Sequence, residues 1–124
     1  MVNVLKAVKQ ELNKLGVNYS FIENKQKPPK YPYWVGSYTC PEGMSEDGEL
    51  NPTFILTGFF RGITSFEIEI EKAKISEYFN NGRIVNIDGS VVVIYTSNVL
   101  DIPQDFNDLK KSEIYLSIKY WKGK

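Results

Sequence analysis

The run TFILTGFFRG, Thr53 to Gly62, is almost unbroken in β-branched and aromatic residues. Strands buried on both faces read this way, because neither face has to meet water. The run predicts the middle strand of a sheet, and the rest of the chain has to supply its neighbours and a layer to cover it.

Two segments predict helices. Between Asn3 and Leu15, residues Val4, Leu5, Val8, Leu12 and Leu15 form one helical stripe, which Asn3 can cap and Gly16 can end. The segment TSFEIEIEKAKISEYF is ambiguous, because Phe66, Ile68 and Ile70 alternate with Glu67, Glu69 and Glu71 as in a strand. Thr64 and Glu67 nevertheless form a capping box, and Ala73, Ile75, Tyr78 and Phe79 continue at helical spacing, so a helix is expected. At about 100° per residue, Ile68, Ile75 and Phe79 fall on one side and Phe66, Ile70 and Ala73 on the opposite side. A helix apolar on two sides wants two partners: the sheet, and either the first helix or a neighbouring subunit. Asn80, Asn81 and Gly82 can end it.

The remaining segments predict strands and their connections. VNYSFIE, Val17 to Glu23, alternates apolar and polar residues as a strand does. Pro28, Pro29 and Pro32 forbid helix, so residues 25–32 predict an extended polyproline II lead-in to an edge strand in YWVGSYT. Cys40 to Pro52 predicts an exposed acidic hairpin loop. RIVNIDGSVVVIYTSNV predicts two strands joined by an Asp88-Gly89 turn, Pro103 to Ser112 a polar connection, and EIYLSIKYWKG a half-exposed antiparallel strand. The expected fold is α+β, one domain over residues 1–124 in the order α-β-β-β-α-β-β-β, with two helices packed against a mainly antiparallel sheet.

The chemistry open to such a domain is narrow. The sequence has no histidine, which removes the commonest general base and the commonest metal ligand together. Its one cysteine, Cys40, lies in TCPEGMSEDGE, where acidic neighbours favour the neutral thiol over a nucleophilic thiolate. Glu42, Glu46, Asp47 and Glu49 lack the spacing of a calcium loop and read as a solvated acidic loop. GFFRG and NNGR match neither the P-loop nor the dinucleotide fingerprint. Glu67, Glu69 and Glu71 cannot all share a helix face and are more simply first-turn acids favoured by the helix dipole. No catalytic residue, metal ligand or cofactor-binding residue is therefore assigned, and an enzyme is not expected.

Charge and processing signals point elsewhere. The net charge is zero, but residues 1–40 carry six lysines against Glu11 and Glu23, while residues 41–80 carry eight acids against three bases. Segregation of this kind can orient association between subunits. It makes no broad basic face for nucleic acid. The amphipathic opening MVNVLKAVKQEL lacks the apolar core of a signal peptide, and no apolar run approaches the roughly 20 residues that span a bilayer, so a soluble, cytoplasmically made protein without membrane contact is expected.

Taken in order, NVLKAVKQELNKL, YPYWVGSYT, the acidic SEDGE running into NPTFILTGFFRG, EIEIEKAKISEYF and YLSIKYWKG resemble the small tail-completion proteins of siphophages and Firmicute prophages, the group that includes tail terminators. The resemblance covers nearly the whole chain, at the level of order, spacing and character. It implies a structural subunit that assembles into a homo-oligomeric ring, commonly a hexamer, contacting tail-tube and head–tail connector proteins. Such a protein would act in the host cytoplasm during assembly and then in the virion tail. The contact residues expected are Tyr31, Tyr33, Trp34, Phe66, Ile70 and Trp121. The rival is a peptide- or nucleic-acid-binding module using the Lys, Pro and aromatic strip from Lys25 to Tyr38, since lysines interleaved with stacking rings can follow a single strand.

Overall fold

Helical spacing and strand alternation sort the described residues into nine elements in a computed structural model. The structure describes residues 2–23, 25, 27–28, 30–39, 49–62, 64–106 and 109–121, with only the backbone of residues 49–50 and 102–106. The elements are α1 (Val2–Leu15), β1 (Tyr19–Phe21), β2 (Tyr33–Thr39), β3 (Glu49–Leu50), β4 (Thr53–Arg61), α2 (Ser65–Asn80), β5 (Arg83–Ile87), β6 (Ser90–Phe106) and β7 (Leu109–Trp121). The sheet runs β1-β2-β4-β7-β6-β5, with β3 pairing β7. The fold is α+β, and β4 lies between β2 and β7, where its composition placed it.

The helices cover one face of this sheet. Val4, Ala7, Val8 and Leu12 of α1 and Ile68, Ile75 and Phe79 of α2 share one core with Trp34, Phe54, Leu56, Phe60, Val92, Ile94, Ile114, Leu116 and Ile118. Alternation along β2, β4 and β7 turns the intervening residues to the other face, where they are half-buried. The β4 run is thus buried on one face, not two: Ile55 and Phe59 are apolar enough to hide the alternation in sequence, yet no helix lies over them. Thr64 caps α2 by accepting from the Glu67 N–H at 3.2 Å, which resolves the ambiguous segment as helix.

Several finer expectations are corrected. Asn3 lies inside α1 and its amide donates to Ser90 Oγ at 3.2 Å, tying α1 to β6 and leaving no capping role. The stretch before β2 is not a continuous polyproline II segment; it bends at residues 27–28 and 31–32, where the Lys27-Pro28 and Tyr31-Pro32 bonds are cis. β1 and β2 run parallel, with Tyr19 opposite Trp34, while every other strand pair among the described residues is antiparallel. The short β3 adds a strand at the end of the stretch read as a loop; Cys40, Glu42, Glu46 and Asp47 lie outside the described residues.

The segment Pro103 to Ser112 is not merely a polar connection, because β6 continues to Phe106 and β7 begins at Leu109. The polarity is met by specific partners. Ser112, on the buried face, donates its hydroxyl to Asp101 Oδ1 at 2.8 Å. The Asp88-Gly89 turn is as expected: φ is 49° and 80° at the two positions, the left-handed geometry that Asp tolerates and Gly takes freely.

Asp101 also receives Lys72, the buried cation of α2. Its Nζ lies 2.7 Å from Asp101 Oδ1 and 2.8 Å from Glu69 Oε1. Burial alone would lower the Lys72 pKa, but the hydrogen bonds to Asp101 and Glu69 outweigh it and raise the value. Asp101 is held below its ordinary value, chiefly by Lys72. Asp101→Asn is expected to cost roughly 1–2 kcal/mol at neutral pH, the value of a hydrogen bond to a charged group discounted for the exposure of the carboxylate. Because the folded pKa lies below the unfolded one, this contribution is present above the ordinary carboxylate pKa of about 3.9 and is lost as pH falls through the folded value. Urea unfolding across pH checks it: the gap between parent and variant must close in acid, and a constant gap would refute the assignment.

Candidate functional site

The uncovered sheet face carries a ladder of aromatic rings at the end where β4 finishes. Cross-strand register sets Tyr33 of β2 against Phe59 of β4, and Phe59 against Lys111 of β7. The Tyr33 and Phe59 rings stack with centroids 4.9 Å apart, and Tyr31 tilts onto Tyr33 at 5.3 Å. A cation stands at each end: the Arg61 guanidinium 5.5 Å from the Tyr31 centroid, and Lys111 Nζ 5.7 Å from the Phe59 centroid. Burial beside Tyr31 pushes the Tyr33 hydroxyl up, so it stays protonated at any physiological pH.

Beside the ladder lies a concavity of about 400 Å³, lined by Ile22, Tyr33, Val35, Thr57, Phe59 and Lys111 among others. Ile22 holds a left-handed backbone, φ 71°, which a β-branched residue rarely adopts. Its N–H donates to the Gly36 carbonyl at 2.9 Å and the Glu23 N–H to the Phe21 carbonyl at 2.8 Å, which keep the bend at the mouth of the concavity. Strain held in this way marks a place where the fold invests in a shape.

On the other side of the subunit, α2 leaves an apolar stripe in water. Phe66 and Ile70, four residues apart, are 74% and 53% exposed, opposite the buried Ile68, Ile75 and Phe79. Glu67, Glu69 and Glu77 rim the stripe; Lys74, its nearby cation, pairs with Glu71 at 3.7 Å.

Of the six residues expected to make contacts, Tyr31 and Tyr33 sit half-buried in the ladder, and Phe66 and Ile70 on the open side of α2. Trp34 is corrected: its side chain is fully buried in its own subunit, edge-on to Phe60 at 5.6 Å, and has nothing left to offer a partner. Trp121 is on the open face but opposite Val91 at the far end of β7, about 33 Å along the strand from Lys111, so it belongs to no patch with Tyr33. Phe59, Arg61 and Lys111, which the sequence reading missed, complete the ladder. Only strand register brings them together.

A second polar cluster joins the helices. The Tyr78 hydroxyl donates to Glu11 Oε1 at 3.1 Å, Lys14 Nζ lies 2.9 Å from Glu11 Oε2, and the Arg83 guanidinium covers the Tyr78 ring at 3.9 Å. The Tyr78–Glu11 bond crosses from α2 to α1, with Lys14 of α1 and Arg83 of β5 on either side of it, and none of the four lines the concavity beside the ladder. Among the described residues no helix is long and apolar enough to cross a membrane.

No protein-family model matches this sequence. No curated protein is significantly similar to it either.

Proposed function

We infer that this protein is a structural subunit of a phage or prophage tail, of the tail-completion kind, and that it works as a closed ring at the head-joining end of the tube. One observation carries this reading: a single subunit exposes two different apolar surfaces on opposite sides, the Phe66–Ile70 stripe of α2 and the aromatic ladder of the open sheet face. A head-to-tail interface needs two unlike patches, whereas a two-fold dimer needs only one that complements itself. The order and character of the segments from NVLKAVKQELNKL to YLSIKYWKG, similar to those of tail-completion proteins, support the same conclusion. Its partners on either side of the ring are then the tail tube and the head–tail connector.

The test is the solution mass, by light scattering on a size-exclusion column across a concentration series at moderate salt. A single closed species of several subunits is expected. A strict monomer at every concentration, together with tight and salt-sensitive binding of a short single-stranded oligonucleotide, would overturn the reading in favour of a binding module on the Lys25 to Tyr38 strip.

A further inference from the structure

We propose that the subunit contact is made by the α2 stripe of one copy seating in the concavity beside the aromatic ladder of the next. This rests on the ring reading above and names the two surfaces that would form it. Shape is the first argument. Phe66 and Ile70 project together from one side of α2 as a two-residue knob, and the concavity beside Tyr33 and Phe59, walled by Ile22, Val35 and the two rings with Ser37, Thr57, Glu23 and Lys111 among them, lies on the opposite side of the same molecule. Its walls are already stacked and its mouth is fixed by the Ile22 bend, so little ordering is needed when the knob enters.

Charge is the second argument and decides the occupant. The knob is rimmed by Glu67 and Glu77, Glu69 being taken up by Lys72, and the ladder is bounded by Arg61 and Lys111. A second copy therefore brings carboxylates to the cations while its apolar residues meet the rings, which fixes one orientation and rejects knob against knob. The Glu23 carboxylate, which also lines the recess, is paired with Lys25 at 3.8 Å.

The contact has two unlike halves, so each can be removed separately. Phe66→Asp removes the knob and leaves the recess; Lys111→Glu with Tyr31→Ser damages the recess and leaves the knob. Both sets change side chains that are exposed or half-buried, and circular dichroism melts of each variant serve as the control for folding. Each variant alone is expected to lose association by roughly 30-fold or more, as for a central contact residue. Mixed in equal amounts, the two have one sound half-contact of each kind and should give a species of twice the subunit mass and nothing larger. If both variants assemble as the parent does, the contact lies elsewhere and this proposal falls while the ring reading stands. It falls likewise if each is monomeric and the mixture stays monomeric. If the parent itself is a monomer at its highest soluble concentration, the proposal falls, and a single-stranded oligonucleotide titrated onto parent and Lys111→Glu decides the ring reading, which tight and salt-sensitive binding to the parent overturns.

Discussion

Trp34→Ala is expected to lower stability by about 3–5 kcal/mol, against a total of roughly 5–15 kcal/mol for a domain of this size. The indole is fully buried and lies across β4, its Cζ3 and Cη2 against Gly58 and its edge toward Phe60. Its Nε1 finds no acceptor among the described residues, so apolar contact rather than a hydrogen bond holds it, and truncation leaves a cavity in the middle of the sheet. Chemical denaturation reads this as a lower midpoint at nearly unchanged slope. A loss below about 1 kcal/mol, within the range of a surface substitution, would mean that the ring is not where the structure puts it.

The reciprocal change, Gly58→Ala, should cost roughly 1–3 kcal/mol for the opposite reason. A Cβ at residue 58 would stand 2.7 Å from Trp34 Cη2 and Cζ3, closer than real contacts allow, and a fully buried ring between two strands has no room to retreat. The two sites form one contact, so their effects should not add. In a Trp34→Ala background the added methyl enters the space the indole vacated, and Gly58→Ala there should be close to neutral. If it costs as much as in the parent, the penalty comes from the strand backbone and not from the ring.

Trp34 also shows what the sequence could and could not disclose. Set among prolines, lysines and tyrosines it looks like a presented aromatic, and its neighbours Tyr31 and Tyr33 do keep part of their surface in water. Trp34 differs by facing the helices, and a one-residue change of register decides that. A signal was present: a lone glycine inside a β-branched and aromatic run marks a place where something large approaches the backbone, and Gly58 is that glycine. The two-sided character of α2 was legible because Thr64, Glu67 and the helical period are local. The ladder was not, since Tyr33, Phe59 and Lys111 meet only after β2, β4 and β7 have paired. Ser112 was hidden for the same reason: it reads as the end of a polar connection until Asp101 accepts its hydroxyl across the β6–β7 ladder.

The position of α1 says something about how such a molecule comes into being. The helix touches β1, β5, β6 and α2, and Asn3 reaches Ser90 across 87 positions of sequence. A helix of 14 residues is marginal by itself in water, so α1 cannot persist until the strands that shelter Val4, Val8 and Leu12 exist. While the chain is being synthesised, every intermediate ending before β6 lacks part of the shelter of this first segment, and full folding waits on the closure of a long loop. The molecule is then made whole in one late, cooperative step rather than piece by piece, and no fragment that omits the last hairpin should retain a stable part of it.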